Sequence, residues 1–367
     1  MKLLVIGNST RSIVCSAQRA GYTVYALDNF CDVDMRRCAK KAQLIRGLTD
    51  EKIRELAGSF GDFDAAILGP GFEKLNFKNT LNNSMEVLEK ANDKLEISKK
   101  FSSMDIPHPQ TGLLTEASIK KFPVMVKPRV GSGGMLNTIA KNEAELENLK
   151  TRKDASEFIV QEFVNGVPCS ASLICREDDA VVVSLNEQLI GIPWLTRLPF
   201  AYCGNITPFH NNFSKEMIEY ARQIALEFGL LGSNGVDFIL TETGVVTIEV
   251  NPRFQGSIDT VELSTGINIF DAHVKSFAGE LPGPSDHICF AGKAIMYSNK
   301  KFLVNERLSK SLIKCMHKNR IADVPETGWV IQADEPITTI IETGKTRENV
   351  FEKIQKSDRY IKSMSEG

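Results

Sequence analysis

The feature that most constrains this sequence is the stretch 232–253, in which two apolar, β-prone runs flank Glu242-Thr243-Gly244. A three-residue loop with a left-handed glycine predicts a β-hairpin that pairs residue 241 with residue 245. Side chains alternate between the two faces of a strand. One face then carries six apolar residues: Val236, Phe238, Leu240, Val246, Ile248 and Val250. The other face places Asp237 directly opposite Glu249, with Asn251 two residues further along.

Two carboxylates on opposed positions repel each other and destabilise a hairpin. A divalent cation between them would remove the conflict, and two acids plus an amide form an oxygen-only donor set that suits Mg²⁺, with Mn²⁺ as an alternative. We therefore predict a metal site at Asp237, Glu249 and Asn251, with Arg253 placed to contact an anion held by the same metal. A solvated acidic patch on an exposed hairpin face is the alternative interpretation.

A glycine-rich segment, Lys127-Pro128-Arg129-Val130-Gly131-Ser132-Gly133-Gly134, follows a predicted strand. Glycines let backbone N–H groups approach phosphate oxygens, and a lysine at the strand end supplies charge. A flexible hairpin tip would have the same composition, and the segment is not a Walker A loop. A third segment, Gln161-Glu162-Phe163-Val164, is a strand that leads into a turn and by itself indicates structure only.

The N-terminal region alternates strand and helix, which predicts a parallel sheet covered by helices. A dinucleotide site would need a Gly-x-Gly-x-x-Gly loop after the first strand, and this chain keeps only Gly7 of the three glycines. Asp28 stands where a ribose-binding acid would, although acids at strand ends are commonly turn residues. We predict a Rossmann-like domain without a dinucleotide.

Composition excludes several classes of protein. The 367 residues include 44 Lys and Arg against 46 Asp and Glu, and 42% are hydrophobic. These values are typical of a globular protein and provide no basic face for nucleic acid, and no apolar run is long enough to span a membrane. Eight scattered cysteines without metal-binding spacing predict reduced thiols and a cytoplasmic protein.

The order of the motifs resembles the ATP-grasp superfamily, and in particular the archaeal-type predicted carboligases related to biotin carboxylase. Asn92-Asp93-Lys94 comes first, then Lys127 with its glycine loop, then Gln161–Val164, and finally the Asp237…Glu249-x-Asn251-x-Arg253 hairpin. The resemblance implies α/β and α+β architecture, namely an ATP-grasp fold with an N-terminal Rossmann-like domain. It divides the chain into a pre-ATP-grasp domain (1–91), a small subdomain with the glycine loop (92–165), a large subdomain with the metal site (166–281) and a C-terminal lobe (282–367).

The resemblance also implies roles for individual residues. Lys94 and Lys127 would contact ATP phosphates, and Arg253 would stabilise the transferring phosphoryl group, which makes Lys127 and Arg253 the catalytic candidates. The loop residues that would close over the phosphates are Gly131, Ser132, Gly133 and Gly134. The adenine hinge would be formed by Gln161, Glu162, Phe163 and Val164. The metal ligands would be Asp237, Glu249 and Asn251.

Three functional hypotheses remain. The first is an ATP-dependent ligase that phosphorylates a substrate carboxylate and passes the acyl group to an amine; a homo-oligomer is compatible with it. The second is biotin-carboxylase-like carboxylation through carboxyphosphate, against which stand Ser257 and Ser298, where that enzyme's bicarbonate-directed residues are expected. The third is a non-catalytic ATP-binding or sensing protein. Pro168 stands where many members place a ribose-binding acid.

Overall fold

A computed structural model describes residues 1–131, 133–134, 136–318 and 320–365. The N-terminal part is a four-stranded parallel sheet in the order β3-β2-β1-β4, as the strand–helix alternation predicts. Its strands are β1 Lys2–Gly7, β2 Thr23–Asp28, β3 Lys41–Leu44 and β4 Ala65–Leu68. Its helices are α1 Arg11–Arg19, α2 Val33–Cys38 and α3 Asp50–Gly58. The loops after β1 and β4 therefore meet at one edge of this sheet.

Two helices, α4 Met85–Asn92 and α5 Lys94–Ser103, lead to the second sheet. The chain turns at Asp93, whose side chain accepts hydrogen bonds from the first backbone N–H groups of α5 and so caps that helix. The second sheet is antiparallel, in the order β5-β8-β6-β7, and carries α6 Glu143–Lys150. Its strands are β5 Thr111–Leu113, β6 Val124–Pro128, β7 Thr138–Ala140 and β8 Phe158–Glu162.

The third sheet has eight strands in the order β13-β12-β9-β10-β11-β14-β18-β16. The central strands are β9 Val167–Cys175, β10 Ala180–Ile190, β11 Tyr202–Thr207, β12 Gly232–Leu240 and β13 Val245–Asn251. The C-terminal region adds β14 Phe290–Tyr297, β16 Ile321–Ala322 and β18 Pro336–Gly344, and a separate pair, β15 Phe302–Leu303 with β17 Val330–Ile331. The helices are α7 Ser214–Phe228, α8 Ile258–Thr265, α9 Ile269–Ser276, α10 Glu306–Met316 and α11 Arg347–Ser365.

A shared hydrophobic core docks the N-terminal domain on the large sheet. Leu3 and Val5 of β1 belong to the same buried cluster as Ile258 of α8 and Phe270 of α9. Burying side chains of this size stabilises the contact by about 1.5–3 kcal/mol each. The loops after β1 and β4 are thereby held beside the functional face of the large sheet.

The hairpin of β12 and β13 has the predicted opposition of acids but a different loop. Asp237 pairs with Glu249 as expected, whereas Leu240 pairs with Val245, so the loop has four residues rather than three. A β-bulge after Asp237 absorbs the one-residue shift. The predicted common apolar face is therefore wrong for Val246 and Ile248, and Val245 joins the core instead.

Two of the eight cysteines form a disulfide, between Cys15 of α1 and Cys38 at the end of α2. The expectation of eight reduced thiols is therefore wrong for this pair. The two cysteines are 23 residues apart and belong to no recognisable sequence motif. Their sulfur atoms meet because α1 packs against α2. The remaining six cysteines are free thiols: Cys31, Cys169, Cys175, Cys203, Cys289 and Cys315. Within the described ranges, no helix is both long and apolar enough to cross a bilayer.

Candidate active site

One large cavity, of about 1320 Å³, lies between the small antiparallel sheet, the large sheet and the loops of the N-terminal domain. Every sequence-predicted site residue that the structure describes lines it. These residues are Lys94, Lys127, Gly131, Gly133, Gly134, Gln161, Glu162, Phe163, Val164, Asp237, Glu249, Asn251 and Arg253. Ser132 lies outside the described residues. The folding of four separate segments thus brings the predicted set to one place.

Lys127, in β6, is a buried cation, and none of the described residues forms an ion pair with it. Its side chain lines the cavity and only 5% of the residue is exposed. Among the described residues, none forms a hydrogen bond or ion pair with its ammonium group. Burial lowers the pKa of Lys127 to about 8, while Glu249 partly offsets that shift. A buried ammonium group without a partner is unfavourable, and a bound anion would supply the missing partner.

Lys94 connects α5 to the glycine loop. Its Nζ donates to the carbonyl of Gly131 at 2.6 Å and lies 3.8 Å from Glu249 Oε2. Arg129, directly after β6, donates through Nε to Asp93 at 2.9 Å. The start of α5 and the start of the loop are therefore held together by charged side chains.

Backbone conformation and close contacts explain why residues 131, 133 and 134 are glycines. Gly131, Gly133 and Gly134 have φ angles of 149°, 81° and 70°, a region that residues with a Cβ rarely adopt. At Gly134 a Cβ would also lie 2.2 Å from the carbonyl oxygen of Phe200. The loop can therefore approach the 199–200 segment only without a side chain at that position.

An apolar slot lies beside the hinge segment 161–164. Met125, Phe163, Ile239 and Ile248 line it, and the bulge in the hairpin is what turns Ile248 toward the cavity. The backbone N–H of Glu162 already donates to Gln110. Apolar side chains with backbone groups beside them suit a purine base.

The opposed acids occupy the face of the large sheet next to this slot. Asn251 Nδ2 and Gln188 Nε2 each donate to Asp237, both at 3.0 Å. Burial, followed by the charge of Glu249, raises the pKa of Asp237 to about 7. The predicted donor set of Asp237, Glu249 and Asn251 is thus assembled, and it fits a hard divalent cation. In the described parts of the chain, no group of three His, Cys, Asp or Glu residues forms a metal cluster, so phosphate or water oxygens would complete the shell.

Arg253 follows β13 and also lines the cavity. Its Nε lies 3.0 Å from Oε1 of Glu73, which belongs to the loop after β4, and its Nη1 donates to the carbonyl of Phe254. The sequence did not indicate Glu73, because a lone acid in a loop carries no signal.

Asp28 is not a ligand residue. Its carboxylate accepts hydrogen bonds from the backbone and hydroxyl of Thr10 and from the backbone N–H groups of Phe30 and Cys31. The chain's own donors occupy both oxygens.

Two sequence comparisons relate this chain to known proteins. Residues 91–257 match the sequence model of the ATP-grasp domain. The chain is 26% identical over 363 residues to an uncharacterized protein of Methanocaldococcus jannaschii, and this alignment covers 93% of the present chain and 88% of that protein.

Three solved structures share the fold at low sequence identity. An ADP complex of N5-carboxyaminoimidazole ribonucleotide synthetase has a TM-score of 0.74 at 16% identity, covering 100% of this chain and 98% of that one. The biotin carboxylase domain of Hydrogenobacter thermophilus 2-oxoglutarate carboxylase, solved with MgADP, ADP and bicarbonate, has a TM-score of 0.72 at 16% identity (97% and 88% covered). L-amino acid ligase from Bacillus licheniformis has a TM-score of 0.69 at 15% identity (98% and 97% covered). The expected fold class is therefore confirmed.

Proposed function

Because residues 91–257 match the ATP-grasp domain, we propose that the chain is an ATP-dependent ligase that joins a carboxylate to an amine. The observation that carries the proposal is Lys127, a buried ammonium group without a partner, placed in the same cavity as the opposed acids Asp237 and Glu249. A cation on one wall and a metal-type donor set on another suit the phosphates of a magnesium nucleotide.

The nucleotide would lie with its base in the slot beside Phe163 and its phosphates between Lys94, Lys127 and the glycine loop. Lys94 and Lys127 supply charge to the phosphate oxygens, and the N–H groups of the glycine loop are free to approach them. Asp237, Glu249 and Asn251 would hold Mg²⁺, which supplies counter-charge to the phosphoryl group during transfer.

The reaction has two steps. A carboxylate oxygen of the first substrate attacks the γ-phosphorus of ATP, the bond to the bridging oxygen breaks, and ADP leaves. The amine nitrogen then attacks the acyl carbon, the carbon–oxygen bond to phosphate breaks, inorganic phosphate leaves, and the nitrogen gives up one proton. Arg253, oriented by Glu73, is the residue placed to stabilise negative charge on the transferred group.

The test is a matrix of carboxylates and amines, assayed for release of ADP and phosphate with Mg·ATP. Release that needs one carboxylate and one amine together supports the ligase. Release with bicarbonate alone would favour carboxylation, and tight ATP binding without turnover across the matrix would favour a sensing protein. Lys310→Ala, which changes an exposed lysine on α10, serves as the matched control for Lys127→Ala.

A further inference from the structure

Part of the large sheet presents apolar side chains to the cavity. Ile190 of β10, Tyr202 of β11 and Ile295 of β14 line the cavity, together with Phe200 of the segment 191–201. All four residues are half-buried, and they are here called the apolar wall. They lie away from β12 and β13, so the cavity has a second apolar surface besides the slot beside the hinge.

The alternation of side chains along these strands makes the wall unusual. The strand residues adjacent to the wall are buried in the core that α10 and α11 share with this sheet: Leu189, Cys203, Ala294 and Met296. An antiparallel sheet with one face on a core commonly carries polar residues on its other face. Here the cavity-facing positions Ile190 and Ile295 are apolar as well, so this face suits contact with an apolar group rather than with water.

The wall is separate from the slot proposed for the nucleotide base. Ile239 and Ile248 of that slot lie on β12 and β13, and β9 and β10 stand between β12 and β11 in the sheet. Adjacent strands are about 4.8 Å apart, so β11 lies about 14 Å from β12. A base bound beside Phe163 would therefore leave the wall uncovered.

The wall begins beside the candidate catalytic groups. Gln188, which donates to Asp237 at 3.0 Å, precedes Ile190 by two positions, which is about 7 Å along β10. Gly256 belongs to the segment after β13 that also carries the candidate catalytic arginine. A Cβ at Gly256 would lie 3.0 Å from Cε1 of Tyr202, so the ring packs directly against that segment. A small molecule could therefore contact both the wall and the transferred phosphoryl group.

The polar donors next to the wall are already engaged. The hydroxyl of Tyr202 donates to Asn205 Oδ1 at 2.9 Å. Lys293, two positions before Ile295, donates to Asp259 Oδ2 at 3.1 Å. A polar substituent on the wall would give up hydrogen bonds to water and find these donors in use, which is unfavourable. An apolar substituent has no such bonds to lose and would cover the half-buried side chains.

We infer that the apolar wall binds the substituent of the carboxylate substrate, which is therefore an acid with an apolar group. This inference rests on the proposed ligase function, because it assigns a subsite to the acid of that reaction. The acid is the substrate whose carboxylate must reach the γ-phosphate near Asp237, and the wall begins about two strand positions from the residue that contacts Asp237.

Binding is tested with acids that differ in the polarity of the substituent and little in its shape. Three branched acids are each paired with a monoamide: 3-methylbutanoate with malonamate, 4-methylpentanoate with succinamate, and 5-methylhexanoate with glutaramate. Saturation-transfer NMR on the full chain with Mg·ADP reports which compounds bind. We expect transfer from a branched acid and none from its amide partner. No transfer from any branched acid, or equal transfer within every pair, would overturn the inference.

Ile190→Thr and Ile295→Thr test whether the wall is responsible. Threonine keeps a β-branched shape that suits a strand, and it replaces apolar surface with a hydroxyl. Both variants should lose the signal of the branched acid, while parental circular dichroism and cooperative unfolding show that they are folded. The matched control is Ile288→Thr, because Ile288 is 74% exposed and does not line the cavity. It should keep the signal. A signal that both folded wall variants retain would overturn the inference.

Kinetics separate this inference from the proposed function. In the parent protein, kcat/KM for ADP release should be about 10–100-fold higher with a branched acid than with its amide partner, and Ile295→Thr should lower that ratio about tenfold. A ratio that neither wall variant alters would overturn the subsite and leave the ligase in place. Binding of a branched acid that depends on the wall, without ADP release with any amine, would overturn the ligase and leave the acid-binding subsite.

The amine is the other substrate that could occupy the wall. The same kinetics with 3-methylbutylamine and β-alaninamide, which differ in polarity as the acids do, measure the amine preference. We expect the wall variants to leave the ratio of kcat/KM for these two amines unchanged. A change in the amine ratio without a change in the acid ratio would place the amine on the wall and overturn the assignment to the acid.

Discussion

Arg253 of the large sheet forms an ion pair with Glu73 of the N-terminal domain, with 3.0 Å between Nε and Oε1. Both side chains are mostly buried, at 18% and 17% exposure, so the pair is shielded from solvent. The orientation of the candidate catalytic arginine therefore depends on a residue far from it in sequence. In the proposed reaction, the N-terminal domain would contribute by positioning Arg253.

Glu73→Gln should lower kcat about tenfold and leave nucleotide affinity unchanged, because a misplaced charge raises the barrier without altering ground-state contacts. Steady-state kinetics combined with calorimetric titration of ADP separates the two effects. Glu335→Gln, which removes a comparable carboxylate partner from Arg46, is the control and should behave like the parent protein. An unchanged kcat in Glu73→Gln would show that Arg253 needs no such partner.

Lys127→Ala should weaken ATP binding about 10–100-fold, since it removes a charge-assisted contact of roughly 1.5–3 kcal/mol. Calorimetric titration of ATP measures the change, and Lys310→Ala should match the parent. Equal ATP affinity in the parent and in a folded Lys127→Ala protein would remove Lys127 from the site.

The pKa of Lys127 predicts a pH dependence. Because burial lowers it to about 8, the side chain is cationic below that pH and loses its charge above it. ADP affinity measured without metal should therefore hold below pH 8 and fall as the pH rises further. Lys127→Arg keeps its charge throughout and should remove the decline. A flat profile for the parent protein between pH 6.5 and 9.5 would contradict the assignment.

Glu249→Gln should abolish turnover while leaving the apo protein at least as stable as the parent. The substitution removes the charge opposed to Asp237 and, with it, a metal ligand. Mg·ATP at a hundredfold excess over Kd should stabilise the parent by about 2.7 kcal/mol and the variant much less. Thermal unfolding measures both values. Glu242→Gln, in the exposed hairpin loop, should respond to Mg·ATP as the parent does, and an equal response in Glu249→Gln would refute the metal site.

Asp259→Asn should destabilise the fold by about 3–5 kcal/mol, because it leaves Lys293 buried without its hydrogen-bonded carboxylate and removes one of the carboxylate partners of Arg11. The pKa of Asp259 is held well below its usual range by Arg11 and Lys293 despite burial. Its stabilisation is therefore present above about pH 4 and is lost as the pH falls below that value. Urea unfolding at pH 7 measures the loss. Glu306→Gln, from an exposed pair on α10, should show no loss.

Local patterns in the sequence predict much of the nucleotide end of the cavity. The opposition of Asp237 and Glu249 follows from strand alternation around a glycine loop. The structure confirms it, although the predicted three-residue loop has four residues. The loop length could not be read from the sequence because both Val245 and Val246 are apolar and either satisfies the alternation. The bonds from Thr241 to Gly244 close the four-residue loop.

The buried ion pairs around Arg11 could not be predicted in the same way. Arg11 meets Asp259 across 248 residues and Asp323 across 312, so no window of sequence contains these pairs. Each of these residues resembles an ordinary surface charge when it is considered alone. The packing of α1 against α8 and α9 brings Arg11 to Asp259, and apolar residues with no chemical role make that packing.

The continuity of the large sheet fixes several cavity residues relative to one another. Asp237 of β12 and Lys293 of β14 stand on one hydrogen-bonded sheet, so they keep a fixed separation. Among the described strands, the four-stranded sheet that leads into the hinge segment and the glycine loop has no strand in common with the large one. A rotation of the small sheet about the segments that join it to the rest of the chain would therefore change its distance from Asp237 and leave the distance between Asp237 and Lys293 unaltered.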